Sequence, residues 1–342
     1  MNHKISAYDV AKLANVSQST VSRVLNDHRN VKQETRDKVH KAIKEIGFTP
    51  SDIARSLAIN KTNTIGLIVE DISNSFYAET AHIILKEAQK YNYEVIIAES
   101  EADEESFSQA ILTLNSKRVD GIIVASIRMD NKKLKEHHKN GVPIICYNRR
   151  SYSAPNSHYV EVDNQQGAIE GVNYLANLKH SKIAYVSGPI VYSTFYERLE
   201  GFEKARKING LKYSQSLILK ENLDMDQVYR FTLDLLNSEN SPTAFFASTD
   251  QIALVIMDAI AKCGRNIPDD ISVMGFDDIT ISSNNYINLT TISQRKEEMA
   301  TAAIKELVKI IKEDQKSYYH RAIVLKPLLI ERSTTDISKS LT

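Results

Sequence analysis

Cysteine is nearly missing: two occur in 342 residues, Cys146 and Cys263. Both lie inside apolar stretches and read as buried free thiols, so neither a disulfide framework nor a metal-ligand spacing is available. The chain also lacks an apolar run near the roughly 18 residues of a membrane span, and its first residues lack the charged-then-apolar order of a secretory signal. These absences predict a cytoplasmic protein. No phosphate-cradling glycine loop, nucleophile–base set or metal cluster stands out, and the nine histidines are scattered or sit in polar stretches such as His137-His138. The expectation is a protein that is not an enzyme and needs no cofactor and no metal. An excess of one charge is missing as well, since 43 Lys and Arg balance 43 Asp and Glu.

That balance hides an asymmetry. Residues 1–62 carry 11 basic side chains against 6 acidic ones, whereas the remaining 280 carry 32 against 37. A small basic head on a larger acidic body is the charge pattern of a protein that touches phosphates at one end only. The length leaves room for two or three domains.

The head holds the stretch AYDVAKLANVSQSTVSRVLN, residues 7–26. Ser6 with Asp9 three residues on has capping-box spacing ahead of Val10, Ala11, Leu13 and Ala14, which predicts a helix over 7–14. After a break at Asn15-Val16, Val21, Val24 and Leu25 return at helical spacing, which predicts a second helix from Ser17. Two helices so short and so closely joined read as a helix-turn-helix, whose second helix enters the DNA major groove. Ser17, Gln18, Ser19 and Thr20 would lead that helix, with Ser22, Arg23 and Asn26 following. Gln can pair bidentately with adenine and Arg with guanine. An amphipathic hairpin with a merely solvated polar face would satisfy the same periodicity.

A third helix is expected over 33–46, with Val39, Ala42, Ile43 and Ile46 on one stripe and Gly47 as its stop. Phe48-Thr49-Pro50 must be extended. The segment SDIARSLA, 51–58, is a short helical candidate, below the roughly 12 to 15 residues an isolated helix needs. Ala54 and Leu57 share one face of it, a shape suited to wedging into a minor groove; a plain linker is the other reading.

From Thr64 the pattern changes to apolar strands alternating with helices. Strands are expected at 64–70, 93–100, 119–126 and 142–148, with helices at 76–91, 103–116 and 131–139 between them. The alternation restarts with a helix at 164–178, followed by strands at 182–188, 217–219, 243–249 and 271–278 and helices at 196–208, 225–237 and 251–263. A last helix over 296–313 and a strand near 322–326 complete the chain. Continuous apolar strands between helices indicate parallel sheets covered on both faces. The predicted fold class is α/β: a helical head, then two Rossmann-like lobes with a ligand cleft at the carboxyl ends of their strands.

The segments YDVAKLANVSQSTVSRVLN, PSDIARSLA, VDNQQGA, ERLEGF, PTAFFASTDQIA, IPDDISVMGFDD and LTTISQ, in this order and spacing, resemble the LacI/GalR family of bacterial transcription regulators over nearly the whole chain. The resemblance implies a homodimer that reads a palindromic double-stranded DNA operator, with Gln18, Ser19 and Arg23 on base edges. Ser6, Tyr8, Ser17, Asn26 and Thr35 would position phosphates. It further implies a head at 1–50, a hinge helix at 51–61 whose Leu57 wedges into the operator centre, and an effector-binding and dimerisation domain at 62–342. The first lobe would take about 62–162 plus 294–326, and the second about 163–291 plus 327–336.

The body resembles periplasmic sugar receptors, which implies a small carbohydrate effector held by Asn74, Phe76, Tyr77, Asn148, Arg149, Arg198, Thr249, Asp277 and Gln294. Carboxylates and guanidiniums take vicinal hydroxyls bidentately, and aromatic faces pack sugar C–H faces. The alternative within the family is a co-repressed regulator responding to a purine or a phosphorylated carrier protein. Ser75, Asn148, Thr249 and Arg295 depart from the family's common proline, aspartate, asparagine and proline, all in or beside the ligand loops.

Overall fold

The structure is a computed structural model that describes residues 5–25, 28, 30–48, 61–101, 103–138, 142–212, 214–220, 224–313 and 321–337. Two compact units divide at residue 62/63. The hinge candidate 51–58 with Ala54 and Leu57, and Asn26, lie outside the described residues.

The first unit holds α1 (Ala7–Leu13), α2 (Gln18–Leu25) and α3 (Gln33–Ile46). The Asp9 carboxylate accepts from the Ser6 backbone N–H at 2.9 Å and from its hydroxyl at 2.7 Å, so the two residues the spacing pairs do meet at the start of α1. Asn15 makes the turn between α1 and α2 at φ 53°, a left-handed conformation that Asn tolerates better than most residues. Gly47 ends α3 in the same region, at φ 66°. Val10, Ala11, Val21, Val24, Val39 and Ala42 are buried together, so the apolar stripes of all three helices form one small core.

The second unit carries two sheets. In chain order the first lobe has β1 (Thr64–Val69), α4 (Ser75–Gln89), β2 (Glu94–Glu99), α5 (Glu104–Ser116), β3 (Gly121–Val124), α6 (Lys133–His138), β4 (Ile144–Tyr147) and β5 (His158–Val162). The second lobe follows with α7 (Asn164–Asn177), β6 (Ile183–Val186), α8 (Ser193–Ile208), β7 (Ile218–Leu219), α9 (Met225–Leu236), β8 (Ala244–Ala247), α10 (Asp250–Lys262), β9 (Ser272–Asp277) and β10 (Thr290–Ser293). Then α11 (Lys296–Lys312) packs on β3, β4, β5 and α4, so the chain has crossed back. The strand β11 (Ala322–Leu325) pairs with β5, and β12 (Leu328–Ile330) pairs with β10.

Among the described residues each sheet has six strands, ordered β11-β5-β4-β3-β1-β2 and β12-β10-β9-β8-β6-β7. All pairings are parallel except β10 with β12, so the second sheet is mixed and not wholly parallel as expected. Three strands escape the sequence pattern: β5, β10 and β12 are short and polar or flanked by polar residues, and β10 reads TTIS. The edge strand β2 is not covered on both faces, and Ile96 and Ile97 remain 36% and 38% exposed. No described helix is long and apolar enough to cross a membrane.

Candidate functional site

In the head, Ser17 caps α2: its hydroxyl accepts from the Thr20 backbone N–H at 3.1 Å and is shared with the hydroxyls of Ser19 and Thr20, each at 2.8 Å. With Val21 and Val24 turned inward, Gln18, Ser19, Ser22 and Arg23 are exposed on the other side, and Thr20 is half-buried. Tyr8 is 64% exposed, and Thr35 is half-buried in the first turn of α3. The Ser6 hydroxyl proton is engaged by Asp9, so to donate to a phosphate it would first have to leave that cap.

The cleft between the lobes is built from strand and helix ends. Glu70 follows β1; Asn148 and Arg149 follow β4; Asp277 closes β9; Gln294 follows β10. These sites lie at the carboxyl ends of parallel strands, where helix N-termini diverge and leave a crevice. The nine residues expected from the resemblance, Asn74, Phe76, Tyr77, Asn148, Arg149, Arg198, Thr249, Asp277 and Gln294, all line one cavity there, a narrow one of about 50 Å³. Backbone strain gathers at its rim: Asn148, Asp277, Asp278 and Arg295 have φ of 66°, 129°, 56° and 55°. Non-glycine residues hold such conformations only where surrounding contacts over-determine them.

Two ion pairs dominate the cavity. Arg149 Nη1 lies 2.6 Å from Glu70 Oε2, its guanidinium stacks 3.6 Å from the Tyr192 ring centre, and the Tyr192 hydroxyl donates to Glu70 across the cleft. Burial pushes the Glu70 carboxyl upward, but Arg149 and the hydroxyls of Tyr192 and Tyr77 outweigh it and leave it below the usual carboxylate range. Arg198 is 2% exposed and sits in the second turn of α8, which begins at Ser193, three residues before the sequence pattern suggests. It donates to Asn164 Oδ1 at 2.9 Å and to the Ser248 carbonyl at 2.5 Å, and lies 3.3 Å from Asp277 Oδ1. Burial pulls the Arg198 pKa down and pushes the Asp277 pKa up, and each partner's charge opposes the other's shift.

Other assigned side chains have local duties as well. The Asn74 carboxamide caps α4 through Phe76 N–H and donates across the cleft to Gln251 Oε1 at 2.8 Å. The Thr249 hydroxyl caps α10 by accepting from Ile252 N–H. Phe76 and Tyr77 belong to the hydrophobic core and line the cavity at once. Four buried polar atoms on lining residues have no hydrogen-bond partner in the protein: Asn148 Oδ1, Arg149 Nε, Arg198 Nη2 and Gln294 Oε1. Buried polar groups are rarely left so.

Sequence reasoning missed Glu70, Thr194, Phe195, Gln251 and Ile279 in the lining, and Tyr192 behind Glu70. Glu70 had one legible sign, a charge ending an apolar strand at its carboxyl end. Tyr192 had none, since it meets Glu70 across 122 residues of chain. Among the described residues no group of three or more His, Cys, Asp or Glu could hold a metal ion. Cys146 is buried and its thiol pushed up to about 12 by that burial, whereas Cys263 is only partly buried.

A three-helix head that presents one polar helix face, joined to a two-lobed receptor with a cavity between its lobes, defines a ligand-responsive DNA-binding regulator. Residues 6–51 match the family model described as bacterial regulatory proteins, lacI family, and residues 62–327 match periplasmic binding proteins and sugar binding domain of LacI family. The chain belongs to the LacI family. It is similar to catabolite control protein A of Priestia megaterium, with 33% identity over 91% of this chain and 93% of that protein. It is also similar to the ribose operon repressor of Escherichia coli K12, with 30% identity over 95% of this chain and 98% of that one. Among solved structures, the lac repressor dimer bound to operator and the anti-inducer ONPF matches with TM-score 0.86 and 29% identity, over 98% of this chain and all of that one.

Proposed function

We propose that this regulator is a cytoplasmic, non-enzymatic homodimeric repressor of a palindromic operator, controlled by a small carbohydrate in the inter-lobe cleft. The observation that carries the ligand assignment is the set of unpartnered polar atoms: Arg149 Nε and Arg198 Nη2 can only donate, while Asn148 Oδ1 and Gln294 Oε1 can only accept. Vicinal hydroxyls meet both needs, and Phe76 and Phe195 offer ring surface beside them. The name of the ribose operon repressor and the description of the lac repressor dimer on its operator support the same reading.

The head would be residues 1–50, the hinge 51–61 and the effector and dimerisation domain 62–342, with lobes about 62–162 plus 294–326 and 163–291 plus 327–336. Gln18, Ser19 and Arg23 would read base edges, and Tyr8, Ser17, Asn26 and Thr35 would hold phosphates. Ser6, already committed to Asp9, is the weaker phosphate candidate. Leu57 would wedge the operator centre. The edge strand β2, with Ile96 and Ile97 exposed, is the proposed contact between copies. A ligand that reorders the cleft would alter how two first lobes meet, and a coupling of about 1 to 3 kcal/mol would change operator occupancy roughly 5- to 150-fold.

The test is selection of a palindromic duplex from a random library by the full chain, then titration of the complex with monosaccharides, disaccharides, alditols and nucleobases. Loss or gain of occupancy with a sugar supports the reading. Binding no better than to unrelated duplex, or indifference to every sugar with response to a nucleobase, refutes it.

A further inference from the structure

The sequence resemblance assigns nothing to Glu70, yet this carboxylate sits at the centre of the cavity's electrostatics. The four charged lining residues form two pairs, Glu70 with Arg149 and Asp277 with Arg198, so the lining carries no net charge. Arg149 would otherwise be an unmatched guanidinium in a buried site, the arrangement that captures phosphates and carboxylates. Glu70 removes that option, and it is not free to swing aside. Arg149 holds Oε2 at 2.6 Å, Tyr77 donates to the same oxygen at 3.3 Å, and Tyr192 donates to the other oxygen from the opposite lobe.

We infer that Glu70 is a specificity-determining residue that confines the cavity to uncharged polyhydroxyl ligands and turns away phosphorylated and carboxylated sugars. The inference rests on the carbohydrate reading and deepens it. An anion entering the cavity would bring a charge for which no countercharge remains, and its oxygens would face the acceptor atoms Asn148 Oδ1 and Gln294 Oε1. A hydroxyl can donate to those two and accept from Arg149 Nε and Arg198 Nη2. An ammonium group could satisfy the acceptors but could not accept from either donor, and it would bring a positive charge beside two guanidiniums.

The full chain is tested by isothermal titration and thermal shift against matched sets: D-ribose with D-ribose 5-phosphate, and D-glucose with D-glucose 6-phosphate, D-glucuronate and D-glucosamine, extended to other neutral aldoses and ketoses. The wild type is expected to bind a neutral member and to take its charged counterparts roughly tenfold more weakly or worse. In E70Q, which removes the charge and keeps one oxygen, for either Arg149 or Tyr192, the gap between neutral and anionic members should shrink roughly tenfold through gained anion affinity. E70D, which keeps the charge, should retain the discrimination. Anionic members binding the wild type as tightly as neutral ones, or an unchanged ratio in E70Q, overturns the role of Glu70 and leaves the carbohydrate reading standing. No binding by any sugar, neutral or charged, removes the carbohydrate reading and this inference with it. If E70Q fails to fold, equal binding of anionic and neutral members by the wild type, or lost discrimination in E70D, still overturns the inference.

Discussion

A guanidinium at 2% exposure needs partners, and Arg198 finds them through Nε and Nη1 in Asn164, the Ser248 carbonyl and Asp277, which leaves Nη2 for a ligand. Replacing it with Ala leaves the Asp277 carboxylate buried without its countercharge, at an expected cost of about 3 to 5 kcal/mol in urea unfolding of the second unit; a loss under about 1 kcal/mol would show that the pair is dispensable. His180 makes a pH prediction. Its ring meets Thr243 through Nδ1, and Ser272 and the Asp336 carbonyl through Nε2. Burial holds its pKa below the ordinary histidine value despite the Asp336 contact. The unfolded chain therefore binds the proton more readily, so the stability His180 contributes is present above about pH 6.5 and is lost as pH falls below it. Melting temperature followed from pH 8 to 5 should fall more steeply for the wild type than for His180→Gln. In the head, Arg23→Ala should weaken operator binding by about 1 to 3 kcal/mol and relax preference at one base pair; equal weakening on operator and scrambled duplex would mean a phosphate contact instead.

At the scale of elements, α7 and α8 pack closely enough that side chains had to be left out. A Cβ on Gly201 would stand 2.3 Å from the Gln165 backbone carbonyl, an atom that cannot yield as a flexible side chain would. Gly201→Ala should destabilise the second unit by about 1 to 3 kcal/mol, and because α8 carries Phe195 and Arg198 to the cavity, sugar affinity should fall with it. The edge strand β2 gives a separate test: Ile97→Lys should raise the monomer fraction in sedimentation equilibrium while leaving the monomer's circular dichroism unchanged. Helices and buried strands were legible because their apolar residues repeat at 3.6 or run unbroken. The strand β10 was not, because Thr290–Ser293 has one aliphatic residue and earns its place by pairing with Met274 to Asp277 on one side and β12 on the other.

For the molecule as a whole, the charge division separates two kinds of binding. Operator affinity, drawn from the basic head, should fall on the order of 10³-fold or more between about 50 and 200 mM salt if six or more phosphates are contacted. Sugar affinity in a cavity whose charges cancel should change little over the same range. Titrations of both at matched salt would check this, and a steep salt dependence for the sugar would argue against a neutral ligand.

The order of the residues was enough to set a helix-turn-helix at one end and two alternating lobes behind it, since caps, stops and apolar periods act over a few neighbours. The family's spacing also marked nine positions that meet in one cavity. Chain order could not reveal that Glu70 and Tyr192, 122 residues apart, close on the same guanidinium. It also could not show that Asn74 and Thr249 spend part of their bonding on helix caps. Charge balance in a cavity depends on which side chains folding brings within a few ångströms, and that distance is a property of packing, invisible to any local pattern.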